Sequence, residues 1–244
     1  GFYKKTNERD ATGRPVILTL DLDTLEYRAA SKVKLASLEA VKQVDDLNER
    51  MKMLYGFQDK GGELVRKSAQ SLFAYVSNRI PEIADDLYKI DDALKAGFAW
   101  EQGPFEQSDV LGVEKLYNDA VASGCKVAPW VKEMLDAGHK TFYKSANGQR
   151  LYYDLVSKSY KVIPGTESLI ILDNFRDNSV VWKNSGTSLF DIGDGVLNLE
   201  FHTKMNSIGG EVLEGINKAI DIAENEGWKG LVIGNNGQHF SAGA

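Results

Sequence analysis

Apolar residues along the chain fall into two regimes of spacing, and each predicts a different kind of element. Residues 16–27 read VILTLDLDTLEY, β-branched and apolar with alternation in the second half, which predicts a strand. Phe2-Tyr3 predicts its partner, across a polar turn near Thr12-Gly13. A helical block follows. Leu47, Met51 and Leu54 recur at helical spacing, as do Val65, Ala69, Leu72, Val76 and Ile80, with Pro81 ending or kinking the second helix. Ile90, Ala93 and Leu94 predict a short helix closed by Gly97. Val113, Leu116, Tyr117, Ala120 and Val121 predict another, before Gly124. Pro129 takes the first position of a short helix through Trp130, Val131, Met134 and Leu135, stopped by Gly138.

The pattern changes near residue 141. Segments 141–144 and 149–162 are aromatic and β-prone, joined by Asn147-Gly148, a dipeptide that favours a type I′ hairpin. Segments 168–172 and 179–182 predict short strands. Beyond residue 185 come a strand (188–192), the turn Gly193-Asp194-Gly195, a strand (196–201), a helix with Val212, Ile216, Ile220 and Ala223 on one face, and a strand (231–234). That β-β-α-β order is α/β in style. The expected division is a β-hairpin tail over 1–30, a helical domain over 31–140, a hairpin and linker over 141–184, and an α/β piece over 185–244.

One repeat crosses this division. Phe2-Tyr3-Lys4-Lys5, Asp21-Leu22 and Tyr27-Arg28 parallel Phe142-Tyr143-Lys144-Ser145, Asp154-Leu155 and Tyr160-Lys161. Either each helical unit ends in one such hairpin, making the first the tail of a preceding unit, or two aromatic hairpins are alike by chance.

Composition narrows the function classes. The 244 residues are 43% hydrophobic and 26% charged, ordinary for a globular chain. A net charge of -6 leaves no electrostatic footprint for nucleic acid. A lone cysteine, Cys125, forms no internal disulfide, which makes a reducing cytoplasm the expected compartment. No apolar run approaches the length of a membrane span. The ends, Gly1-Phe2-Tyr3 and Ser241-Ala242-Gly243-Ala244, look cut from something longer.

Most strong motifs are missing. Gly193-Asp194-Gly195 is followed by Asn198 where a dinucleotide fingerprint needs a third glycine. There is no Walker A loop, H-E-x-x-H, G-x-S-x-G or cysteine cluster. His139, His202 and His239 are scattered, without a carboxylate at motif spacing. Two clusters stand apart. Residues 96–106, AGFAWEQGPFE, describe a rigid elbow with its rings packed down, in which Glu101 and Glu106 could pair. Residues 237–244, GQHFSAGA, follow a strand; small residues there leave amides open to an approaching carbonyl, as in a main-chain oxyanion hole, or simply make a tight turn.

Together these clusters carry a family resemblance. Ile90-Asp91-Asp92-Ala93-Leu94 with Gly97 to Glu106 resembles the C-terminal helical domain of 3-hydroxyacyl-CoA dehydrogenases. Asp194-Gly195-Val196, Asn206-Ser207-Ile208 and Phe240-Ser241-Ala242-Gly243-Ala244 resemble the opening of an enoyl-CoA hydratase (crotonase) domain. In this order the chain resembles the centre of a bifunctional fatty-acid β-oxidation enzyme. The resemblance implies a mixed fold: an all-α dehydrogenase C-terminal-type domain with β-hairpins, then a partial crotonase-like ββαβ unit. It also implies a duplicated helical domain, which would account for the repeated hairpin. It implies that the Ala244 amide is an oxyanion donor, that Ala242 lies along bound CoA, and that Lys204 belongs to the loop meeting the CoA moiety. It puts NAD and acyl-CoA with the whole enzyme, without tight binding to this segment. The second oxyanion donor and the hydratase glutamates would follow this chain; the dehydrogenase His–Glu pair and dinucleotide glycines would precede it. Asn78 sits a few turns late for the family's pocket asparagine and is not assigned. The expected partners are the remaining domains and acyl-CoA; the partial crotonase-like piece, with exposed apolar strand and helix surface, is expected to be poorly stable or to self-associate as a homo-oligomer. The competing expectation is a non-catalytic α+β binding or interaction module.

Overall fold

A computed structural model describes residues 1–30, 33–176, 179–237 and 239–244. The chain forms two compact units, Gly1–Arg66 and Lys67–Ala244. Eight α-helices and three sheets make up the described residues, a mixed α/β architecture without a closed barrel.

In the first unit, β1 (Tyr3–Arg9), β2 (Pro15–Leu20) and β3 (Tyr27–Ala29) form an antiparallel sheet. The apolar run at 16–27 is thus two strands, because Asp21 caps its own turn by accepting the amides of Asp23 (3.0 Å) and Thr24 (3.2 Å). Then come α1 (Ala36–Ala40), α2 (Leu47–Gly56) and the start of α3 (Lys60–Ser77). Asp46 begins α2 by accepting the Glu49 amide at 2.7 Å.

In the second unit, α4 (Leu87–Phe98), α5 (Pro104–Leu111), α6 (Val113–Ala122) and α7 (Pro129–Asp136) follow α3. Pro129 is at the first helical position, as expected. Gly97 does not close α4; the left-handed residue is Ala99, φ 54°. Nor do Ile90, Ala93 and Leu94 pack into the core: they line an open groove with Leu72 and Tyr75, while Leu87 and Asp91 are the buried residues of α4. The helices and the sheet β4 (Tyr143–Ala146), β5 (Gln149–Asp154) and β6 (Ser159–Val162) share an aromatic core. Phe142 meets Phe105 edge-on at 5.0 Å, Trp130 at 5.7 Å and Phe73 at 6.1 Å. Asn147 and Gly148 both take positive φ, 52° and 71°, the geometry of the I′ hairpin.

The repeat extends to the pairing. Tyr3 faces Thr19 as Tyr143 faces Tyr152, and Leu18 faces Ala29 as Leu151 faces Val162. The Leu20 amide donates to Phe2 O, and the Tyr153 amide to Phe142 O, each at 2.8 Å.

The last sheet has the order β10-β9-β8-β7 (β7, Val180–Lys183; β8, Thr187–Asp191; β9, Val196–Phe201; β10, Gly230–Ile233). Helix α8 (Gly210–Asn225) crosses from β9 to β10, which run parallel. Leu189, Leu197, Leu199 and Phe201 meet Val212, Ala219 and Ile222 in a second core. Ile220, expected on the buried stripe, is 41% exposed because Ala219 and Ile222 hold that face. Segment 168–172 pairs with no strand; its end enters a 3₁₀ turn, Leu172–Asn174.

Candidate functional site

Parallel pairing of β9 and β10 sends the chain out of the same edge twice, so the loops after both strands lie side by side. Asparagines tie them together. Asn235 Oδ1 accepts the Phe201 amide (2.8 Å) and its Nδ2 donates to Phe240 O (2.6 Å). On the other loop, Met205 and Asn206 are both left-handed, φ 56° and 52°. Asn206 is buried, its Nδ2 donating to His239 O at 3.0 Å. Ser241 Oγ donates to Asn206 O at 2.6 Å, and the Ile208 amide donates to Gly243 O at 2.8 Å.

This docking accounts for two of the three small-residue amides at 242–244. Ala242 N–H donates to Met205 O (3.1 Å) and Gly243 N–H to Ser241 Oγ (3.0 Å). The Ala244 amide has no partner among the described residues, and Ala244 is exposed. Lys204 is exposed next to Met205, so the fold brings Ala242, Ala244 and Lys204 to one edge of the sheet. Gln238, in the same sequence cluster, lies outside the described residues. Beside these loops a pocket of about 490 Å³ is lined by Ile171, Leu172, Ile192 and Val232 together with Asn198 and Asn235.

The 96–106 cluster has another shape from the one expected. Phe105 is fully buried, but Phe98 is 70% exposed, and Pro104 starts a helix. Glu106 does not pair with Glu101; it binds Lys95 (2.9 Å), Arg150 (2.8 Å) and the Gly103 amide (2.7 Å). Burial opposes the charge on Glu106, but the Gly103 amide and the two cations hold its carboxyl below the usual range. The centre of the cluster is Asp91, which accepts the Phe105 amide (2.9 Å), the Glu106 amide (3.1 Å) and the Tyr143 hydroxyl (2.8 Å). Asp109 accepts the Phe142 (2.7 Å) and Tyr143 (2.8 Å) amides. Sequence reasoning missed both aspartates. The available signal was Asp91 itself, a charge one turn from Leu87 on an otherwise apolar helix face.

The histidines stay apart. His139 packs between Tyr153 and Tyr160, and His239 is exposed. His202 Nε2 meets Ser188 Oγ at 2.8 Å, with buried Glu200 4.0 Å from the same nitrogen. Glu200 is held instead by Arg176 (2.7 Å). With serine and carboxylate on one nitrogen, the trio lacks the relay geometry of a nucleophilic triad. Among the described residues no His, Cys, Asp or Glu group is arranged to hold a metal ion. No described helix is long and apolar enough to cross a membrane.

Comparison with known proteins extends over the full chain. It is 39% identical over 245 residues to a probable 3-hydroxyacyl-CoA dehydrogenase of Bacillus subtilis (strain 168), covering 100% of this chain and 30% of that protein. It is 24% identical over 244 residues to a putative fatty acid oxidation complex trifunctional enzyme of Rickettsia prowazekii (strain Madrid E), again over 100% of this chain and 29% of the relative. A protein of the same description from Rickettsia felis (strain URRWXCal2) is 23% identical over 246 residues, with the same 100% and 29% shares. No family model and no solved structure matches the chain. The chain spans less than a third of the length of the curated relatives it matches, all of them described as 3-hydroxyacyl-CoA dehydrogenases or fatty acid oxidation enzymes.

Proposed function

We propose that the chain is a central segment of a cytoplasmic fatty-acid β-oxidation enzyme that oxidises 3-hydroxyacyl-CoA and hydrates 2-enoyl-CoA. Residues 31–140 would be a dehydrogenase C-terminal-type scaffold and 185–244 the start of a crotonase-like domain. The observation that carries this reading is the unbroken similarity, from end to end, to a probable 3-hydroxyacyl-CoA dehydrogenase.

The hydratase half of the proposal draws on the edge formed by the two parallel strands. When water adds to a 2-enoyl thioester, negative charge develops on the thioester oxygen, and a fixed backbone donor stabilises it without reorganising. Ala244 N–H, without a partner among the described residues, would be the donor, Ala242 would flank the CoA chain, and Lys204 would meet its phosphates. A second donor and the groups that move protons are not assigned to described residues of this chain.

No site among the described residues fits the nicotinamide cofactor. Among the described residues the parallel β9–α8–β10 unit passes from β9 through a 3₁₀ turn with a left-handed methionine and reaches α8 at Gly209-Gly210, without the G-x-G-x-x-G spacing of a dinucleotide turn. NAD would bind outside this segment.

The test is a pair of assays. Expressed with its flanking coding sequence, the protein should reduce NAD with 3-hydroxybutyryl-CoA and hydrate crotonyl-CoA, while the isolated 244 residues do neither. Turnover by the isolated chain would refute the segment reading. Inactivity of the longer protein toward both thioesters would favour a non-catalytic binding module.

A further inference from the structure

Tyr143 is gripped from two helices by carboxylates. Its hydroxyl donates to Asp91 on α4 and its amide to Asp109 on α5, each at 2.8 Å. Two cations belong to this cluster, Lys95 and Arg150, but both end on Glu106. Neither Asp91 nor Asp109 has an ion pair among the described residues. Three carboxylates thus face two cations, and full ionisation leaves one excess negative charge beneath the β4–β6 sheet. Excess charge in a site shielded from water is costly, and the cheapest remedy is one proton.

Other groups do not cancel it. Asp92, 3.3 Å from Lys95, is a further carboxylate on the exposed side. Arg150, on β5, lies over the Tyr143 ring at 4.3 Å and is one of the two cations on Glu106.

We propose that Asp91 and Asp109 form a proton-operated clasp: one proton held by the pair keeps β4–β6 seated on α4 and α5, and its loss to solvent loosens that seat. Burial pushes both carboxyls up to about 7, overcoming the amide and hydroxyl donors that lower them. In the unfolded chain they return to about 3.8. Between those values the folded pair therefore holds at least one proton that the unfolded chain has released. Stability from the clasp is complete below the unfolded value and falls as pH rises toward 7.

The test uses the 244-residue chain, with Asp carboxyl carbons followed by NMR between pH 3 and 9. A carboxyl of the pair is expected to titrate near 7. The Tyr153 amide, bonded to Phe142 O, should lose protection by about tenfold per pH unit as pH approaches 7. Asp109→Asn should flatten that loss. If both carboxyls titrate near 4, or if protection is constant from pH 5 to 8, the clasp is wrong. Should Asp109→Asn fail to fold, the wild-type titration decides alone.

Discussion

Gly103 lies so close to Asp91 that a side chain on it would overlap the Cα, Cβ and carboxyl carbon of that aspartate. The approach is what allows one carboxylate to collect two amides from the first turn of α5. Gly103→Ala should lower stability by about 1–3 kcal/mol through overpacking. Gly97, inside α4 with nothing near its Cβ direction, should be neutral or stabilising as alanine. Thermal unfolding of the two variants checks this; equal effects would contradict the packing argument.

The turn at Asn206 makes a prediction of its own. Asn206→Gly keeps the left-handed backbone and loses only the bond to His239 O, at a cost of about 1 kcal/mol. Asn206→Ala adds the Cβ penalty of that conformation, roughly 1–2 kcal/mol more. Amide exchange at Ile208 and Ala242 should accelerate in the order wild type, glycine, alanine. An alanine variant no worse than glycine would remove the backbone term.

How much of this was legible in sequence depended on range. The I′ turn at Asn147-Gly148 was, because both residues carry their own conformational preference. So was the strand–helix–strand order after residue 185. The five-residue run at 168–172 looked like a strand, yet a strand needs a paired neighbour as well as apolar residues, and here the run ends in the 3₁₀ turn Leu172–Asn174. The small-residue turn at 241–244 was visible, but its attachment to Asn206 was not, since the parallel pairing that joins the loops is a long-range fact. Asp91 stood out as a charge on an apolar helix face, but what it binds was hidden for the same reason: its donors lie 14, 15 and 52 residues further along.

Arg176 and Glu200 form an ion pair whose acid is 1% exposed. Arg176→Met should cost about 3–5 kcal/mol, because the carboxylate is left buried without its cation. Arg176→Met with Glu200→Met should recover most of that loss. Denaturant unfolding of both variants is the check, and an additive double variant would show the pair to be energetically idle.

His202 bears on acid stability with the opposite sign to the clasp. Burial, aided by Arg176, holds its imidazole below 6.5 despite Glu200. Its contribution is present above the unfolded value and is lost as pH falls below it. The imidazole should titrate below 6.5 by NMR, and His202→Gln should gain relative stability at acid pH. A wild-type imidazole titrating above 6.5 would reverse the argument.

The two repeated sheets offer the sharpest comparison, because sequence and register match while cover does not. Phe142 is 0% exposed among Phe73, Phe105 and Trp130; Phe2, at the same place in its sheet, is 67% exposed. Phe142→Ala should therefore cost about 3–5 kcal/mol, the range for a buried phenylalanine. Phe2→Ala should stay within about 0.5 kcal/mol, as a surface change does. Measuring both in dilute and concentrated samples makes the comparison decisive. A large cost at Phe2 that grows with concentration would mean that the bare face of β1–β3 is covered in solution by another copy of the chain. A large cost at every concentration would place its cover within the chain itself.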